Sequence, residues 1–259
     1  MQNAAPAASG MPRIREIGVS DLSYALARGW RDFRLAPRFG LAIAGLFVLG
    51  GIVIYLQLTV WDQRWMILPV AMGFPLLGPF VVVGLYEVSH QIERGRAPDW
   101  AGVLDRILRQ RKRQIPTIAF VVTFFVGVWF YLAHLIFALF FGLSAITNIS
   151  KSYALLLSSH GLAMLAVGSL VGAVLAFLLY AISVVSFPLL VDRELDFVTG
   201  MIVSVLAVFR NLRVMALWAL LIGVLTVLAM APFFLGLFLV LPVLGHATWH
   251  LYRRVLEPE

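Results

Sequence analysis

Six stretches of the chain are long and almost wholly apolar, and the charged residues gather between them. The runs cover about 40–60, 66–88, 116–147, 161–191, 214–230 and 233–252. A helix needs about 20 apolar residues to cross the hydrocarbon core of a bilayer, and these runs reach or approach that length. The pattern therefore predicts an all-α, polytopic transmembrane helix bundle of about six spans. Trp61 and Trp65 bracket the first outer turn, as interfacial aromatics do. The third and fourth runs exceed what a bilayer requires, so they tilt or project around Asn148, Ser150 and Lys151.

Three segments between the spans read as interfacial helices. In the first, Ser20 caps, Leu22, Leu26, Trp30 and Phe33 share a face, and Arg28, Arg31, Arg34 and Arg38 recur on another. In the second, Pro98 and Asp99 mark the start. Trp100, Val103, Leu104, Ile107 and Leu108 follow helical spacing there, with Arg106, Arg109 and Arg113 opposite. The third follows Asp196, ends at Arg210 and Arg213, and is apolar almost all round, which predicts burial against the bundle or lipid. Amphipathic basic helices beside a bilayer attract anionic headgroups, so the arginines named here are candidate lipid contacts.

The organisation that follows is a disordered tail (1–19), a basic amphipathic helix (20–39), a membrane domain (40–252) and a short tail (253–259). Three hairpins (40–88, 116–191 and 214–252) suggest a weak internal repeat. Trp30-Arg31-Asp32-Phe33-Arg34 resembles Phe209-Arg210-Asn211-Leu212-Arg213, and Phe74-Pro75-Leu76-Leu77-Gly78 resembles Leu241-Pro242-Val243-Leu244-Gly245.

Composition agrees with a lipid-facing chain: 61% of the 259 residues are hydrophobic and 13% charged, against about 45–50% and 25% in soluble domains. Orientation follows from Lys and Arg, of which residues 1–39, 89–115, 192–213 and the tail after Tyr252 carry six, seven, three and two. The remaining loops carry only Arg64 and Lys151. The positive-inside rule puts the rich segments, and with them both termini, in the cytoplasm. The net charge of +7 is explained by this flanking and points to no nucleic-acid partner. Without cysteine the chain has no disulfide, iron–sulfur ligation or thiolate zinc site. No apolar segment of a cleavable signal precedes the first span.

Several polar or ring-closed residues inside or at the ends of the spans ask for an explanation. Pro75, Pro79, Pro188 and Pro242 interrupt helices and free backbone carbonyls. Broken helices serve transporters at substrate sites, but a packing kink is the plainer reading. His246 and His250 stand four apart on one helical face, a spacing open to metal or haem and equally to ordinary packing. His134 and His160 fall towards the opposite side. Glu87 and His90 end the second run, and Asp192 and Arg193 end the fourth. Ionisable groups at membrane depth are functional candidates. By helix rise, Glu87, Asp192 and His246 reach a similar level, so they are expected to converge into a polar vestibule, with His246 or Arg193 partnering the carboxylates. No nucleotide, hydrolase or metalloprotease motif is present, and no metal or cofactor is expected.

The runs Gly73-Phe-Pro-Leu-Leu-Gly-Pro79 to Gly84-Leu-Tyr-Glu-Val88, Phe187-Pro-Leu-Leu-Val-Asp-Arg193 and Leu241-Pro-Val-Leu-Gly-His-Ala-Thr-Trp-His-Leu-Tyr252 resemble a family of uncharacterised bacterial integral membrane proteins, a domain of unknown function. The likeness covers roughly 40–255. Some members are labelled cytochrome c oxidase subunits. Five scattered histidines do not make the ligand set of a haem–copper catalytic subunit, so the resemblance implies an accessory or assembly role. The leading expectation is a non-enzymatic inner-membrane protein that organises lipid or another membrane complex. The alternatives are a small transporter or channel and, third, a haem or quinone redox accessory.

Overall fold

The structure is a computed structural model that describes residues 12–61, 82–112, 115–142, 157–193 and 195–257. All the regular elements among these are helices: α1 (Val19–Leu35), α2 (Pro37–Thr59), α3 (82–93), α4 (Trp100–Lys112), α5 (Ile115–Phe141), α6 (Ser159–Ser183), α7 (Ser186–Asp192), α8 (Phe197–Arg210), α9 (Leu212–Met230) and α10 (Leu237–Val255). Their starts follow local rules. Asp21 reaches back to the Gly18 N–H at 2.9 Å, and Pro37 opens α2, where a missing N–H costs nothing. Asp99 and Asp196 accept the Gly102 and Thr199 N–H groups at 2.6 and 2.9 Å, capping α4 and α8.

Among the described residues four helical stretches are long and apolar enough to cross a membrane: Pro37–Gln57, Phe120–Phe141, Ser159–Asp192 and Leu212–Met230. Most of the second run lies outside the described residues, along with Pro75 and Pro79. The sixth run, now α10, has a divided character. Its apolar half packs beside α2, where Gly40 meets Pro242, and its polar half packs beside α1, where Gly29 meets Ala247. The α1–α2 rod thus runs antiparallel to α10 over nearly its whole length.

That packing corrects the expected role of α1. Leu22, Ala25, Gly29 and Asp32 form its buried face, whereas Trp30 of the expected apolar face is 42% exposed. Helix surfaces meet most closely where side chains are smallest. A Cβ on Gly29 would lie 2.6 Å from both the Ala247 N and the Val243 O, so only glycine permits this crossing. Residues 12–18 are also ordered, against the expected loose tail. Ile14 bridges Leu256, the Arg15 N–H donates to the Val255 O at 2.7 Å, and the Ile17 N–H donates to Asn211 Oδ1 at 2.9 Å. Backbone segments so paired cannot be separated by a bilayer, so residues 14–17 lie on the same side as residues 255–257.

The two described prolines behave differently. A proline clashes with the carbonyl four residues back, and Pro188 faces Val184, where α6 gives way to α7. Ser204 of α8 repairs the break, accepting the Val185 N–H at 3.1 Å and donating to the Ala181 O at 2.7 Å. Pro242 breaks nothing: α10 runs continuously through it, and its ring is packed against Gly40. Burial is concentrated away from the lateral helices, α5 and most of α6. The largest core cluster joins α1, α3, the end of α6, α7, α8, α9 and α10 around Trp218, Trp249 and Tyr252. The apolar outer face of α8 remains exposed at Ile202, Leu206 and Phe209, so that helix is buried on one side only.

Candidate functional site

The candidate residues gather in a polar layer where the polar half of α10 meets α1, α3, α4 and the end of α7. On α3, Glu87, Ser89, His90 and Gln91 are all buried. Glu87 accepts from Arg106 Nε at 2.8 Å and from Gln91 Nε2 at 2.9 Å, and its carboxylate lies 3.8 Å from His90 Nδ1. The Gln91 carbonyl oxygen accepts the Asp99 N–H at 3.1 Å, which ties the start of α4 to α3. A cavity of about 310 Å³ opens beside these groups, lined by Glu87, Gln91, Arg96, Asp99, Asp105 and Arg106.

A second set centres on Asp192. It accepts from the Tyr252 hydroxyl at 2.7 Å and from Arg253 Nη1 at 3.1 Å. Arg253 also reaches Glu93 at 3.2 Å, and Glu93 accepts from Trp249 Nε1 at 3.2 Å. Trp249 stacks on His90 with ring centroids 5.3 Å apart, which joins this set to the first. Burial, with Arg94 behind it, holds the His90 imidazole below its ordinary pKa, and Glu87 and Asp192 pull the other way.

A third set joins α10 to α1 and α3. His246 Nδ1 lies 2.8 Å from Ser89 Oγ, and His250 Nε2 lies 2.7 Å from Asp32 Oδ2. Asp32 is only 1% exposed, and His246 is fully buried. Among the described residues His246 Nε2 has no hydrogen-bond partner.

Glu87, Asp192 and His246 share one layer. Among the described residues no hydrogen bond or ion pair joins any two of them, because each is held by its own partners. Asp192 takes Tyr252 and Arg253, and Arg193 donates to the Glu257 O at 2.6 Å. His246 is bonded through Nδ1 to Ser89 and His250 through Nε2 to Asp32, so the two rings have different partners at these nitrogens. Trp249 and Tyr252 are core residues. Among the described residues no group of three or more His, Asp or Glu could hold a metal ion.

The candidate lipid-binding arginines also divide. Arg106 is taken by Glu87, and Arg109 pairs with Asp105 at 2.7 Å. Arg28 lies over the Tyr24 ring, Arg38 donates to the Pro98 O at 3.1 Å, and Arg113 lies outside the described residues. Arg31 and Arg34 are exposed on α1.

Asp32, Ser89, Gln91, Glu93, Asn211 and Arg253 were missed as members of this layer. The signal for Asp32 was there: it is the only acid among the four arginines from Arg28 to Arg38. Asn211, whose amide donates to the Arg15 O at 3.0 Å, gave no such signal.

Residues 67–192 match the family described as Predicted integral membrane protein (DUF2189). No curated protein and no solved structure matches the chain. The matched segment includes Glu87, His90 and Asp192 but stops short of α8–α10 and excludes α1, so both helices of the Asp32–His250 contact lie outside it.

Proposed function

We propose that this integral membrane protein is a non-enzymatic accessory subunit of a bacterial inner membrane, one that associates laterally with another membrane protein. The observation that carries the reading is the contrast between its two parts. The carboxylates of the polar layer are held internally, with Glu87, Asp192 and Asp32 each bonded within the fold. The lateral helices are open: no residue of the Phe120–Phe141 span is buried, and Tyr131, Leu139 and Leu170 are 70%, 75% and 68% exposed. Between α5 and α6 runs an apolar groove of about 290 Å³, lined by Trp129, Leu132, Ile136, Leu165, Gly168 and Leu175. An open hairpin of this kind offers side-by-side contact to another helix, with small residues admitting close approach.

A photoreactive amino acid at Leu139 or Leu170 tests this in native membranes. The same protein partner should be trapped from both positions, and none from Leu251, which is buried. Adducts to lipid alone from both exposed positions would sink the reading. A small transporter remains the second reading, supported by the Pro188 break and the charge-lined cavity beside Glu87. Substrate flux into proteoliposomes that is lost in Glu87→Gln would favour it.

The cytoplasmic placement of both termini is part of the proposal and rests on the Lys and Arg distribution. Reporter fusions after Lys112 and at the C-terminus should give cytoplasmic signals, and fusions at Gln63 and Ser150 periplasmic ones. A periplasmic C-terminal reporter would overturn the orientation.

A further inference from the structure

We propose that Arg31 and Arg34, with Trp30 beside them, form a fixed docking site for the headgroup of an anionic phospholipid. The case begins with direction. Leu22, Ala25, Gly29 and Asp32 face α10, and at 100° per residue Arg31 and Arg34 project from the opposite side of α1, where both are exposed. Among the described residues neither has an ion-pair partner. Asp32, the one acid nearby in sequence, is turned inward onto His250, and Asp21 is held by Arg254 at 2.7 Å. The α1 carboxylates are thus taken elsewhere, and the positive charge of the outer face stands uncompensated.

Depth supplies the second part of the case. The first span begins at Pro37, directly after the one-residue junction at Ala36. The α1–α2 rod follows α10 on both sides of that junction, so the helical path continues across it. At about 1.5 Å per residue, Arg34 and Arg31 stand roughly 5 and 9 Å before the span. The headgroup layer is roughly 5–8 Å thick on each side of the hydrocarbon. Both guanidiniums therefore lie at or beside phosphate level, where the half-exposed Trp30 ring also belongs. Two guanidinium forks recognise phosphate oxygens well, and the Gly29 crossing holds α1 still, so little order is lost on binding.

The full chain in mild detergent would be titrated with phosphatidylglycerol and with phosphatidylcholine, and bound lipid counted by native mass spectrometry. Arg31→Gln/Arg34→Gln should weaken phosphatidylglycerol binding roughly thirty-fold and leave phosphatidylcholine binding unchanged. Arg109→Gln/Arg210→Gln removes the same charge from arginines already paired with Asp105 and Glu16, and should have little effect. Arg31→Lys/Arg34→Lys should keep most of the affinity, which separates loss of the site from loss of the fold. Equal weakening in the two glutamine doubles would show attraction by net charge and overturn the site. An unchanged Arg31→Gln/Arg34→Gln protein would overturn it as well. So would displacement of the lipid by soluble glycerol phosphate, which would assign the pocket to free phosphate.

Discussion

Replacing Gly29 with valine should pull α1 off α10 and destabilise the protein by at least about 3 kcal/mol. The added Cβ would stand 2.6 Å from the Ala247 N and the Val243 O and 2.8 Å from the Ala247 Cβ. Two of the three are backbone atoms of a continuous helix, which cannot step aside as a flexible side-chain end would. Overpacking where neighbours can relax costs about 1–3 kcal/mol, and here relaxation means separating the helices. Separation would uncover Leu22 and Ala25 and strip Asp32 of its partner. The absence of cysteine supplies a clean assay. A single Ala25→Cys probe, at a position fully buried in the native fold, should resist maleimide in the parent and react readily beside Gly29→Val. Gly127→Ala is the control, because a Cβ there meets nothing within 4 Å. It should be neutral or stabilise by up to about 1 kcal/mol through helix propensity. Equal protection of the probe thiol in the parent and the Gly29→Val background would show that the crossing is looser than these distances imply.

The second large effect is expected from His250→Ala. Its Nε2 contact is 2.7 Å from an Asp32 carboxylate that is almost fully buried, and that carboxylate would lose its bonded partner without gaining water. Leaving a buried acceptor without its partner costs about 1–3 kcal/mol and more for a charged group, so a loss of about 3 kcal/mol is expected. Replacing both partners with leucine should recover most of the loss, since a matched apolar pair leaves no orphaned group. Unfolding in mixed detergent, with all single and double variants, gives the coupling energy directly. Additive losses in the double variant would mean that Asp32 and His250 contribute independently.

These two positions mark where the sequence stops being informative. The spans, their caps and the one-sided distribution of Lys and Arg are local or additive properties. Apolar runs of bilayer length can be satisfied only by helices in lipid, so the fold class is determined by composition and period alone. The caps at Asp99 and Asp196 are equally local, since each bonds an N–H three residues away, whereas the first helix starts at Val19 and is closed by Asp21 reaching back to Gly18, not by the expected Ser20.

The polar layer was legible only as a list of suspicious residues. Glu87, His90, Asp192, His246 and His250 all fall in it, because a charge or imidazole within a mostly apolar chain must be held by something. Which group holds which is decided by contacts across as many as 218 residues, as between Asp32 and His250, and no local rule reaches that far. The face of α1 shows the same limit in packing. Hydrophobic periodicity favoured Leu22, Leu26, Trp30 and Phe33, but the depth of a helix crossing is set by the smallest side chains on both partners. Only the approach of α10 could select Ala25 and Gly29. The outward faces of α5 and α6 are as apolar as the buried ones, because lipid and protein core ask the same of a side chain. Hydropathy therefore decided that these helices lie in the membrane, and tertiary structure alone decided which of their faces were left without neighbours among the described residues.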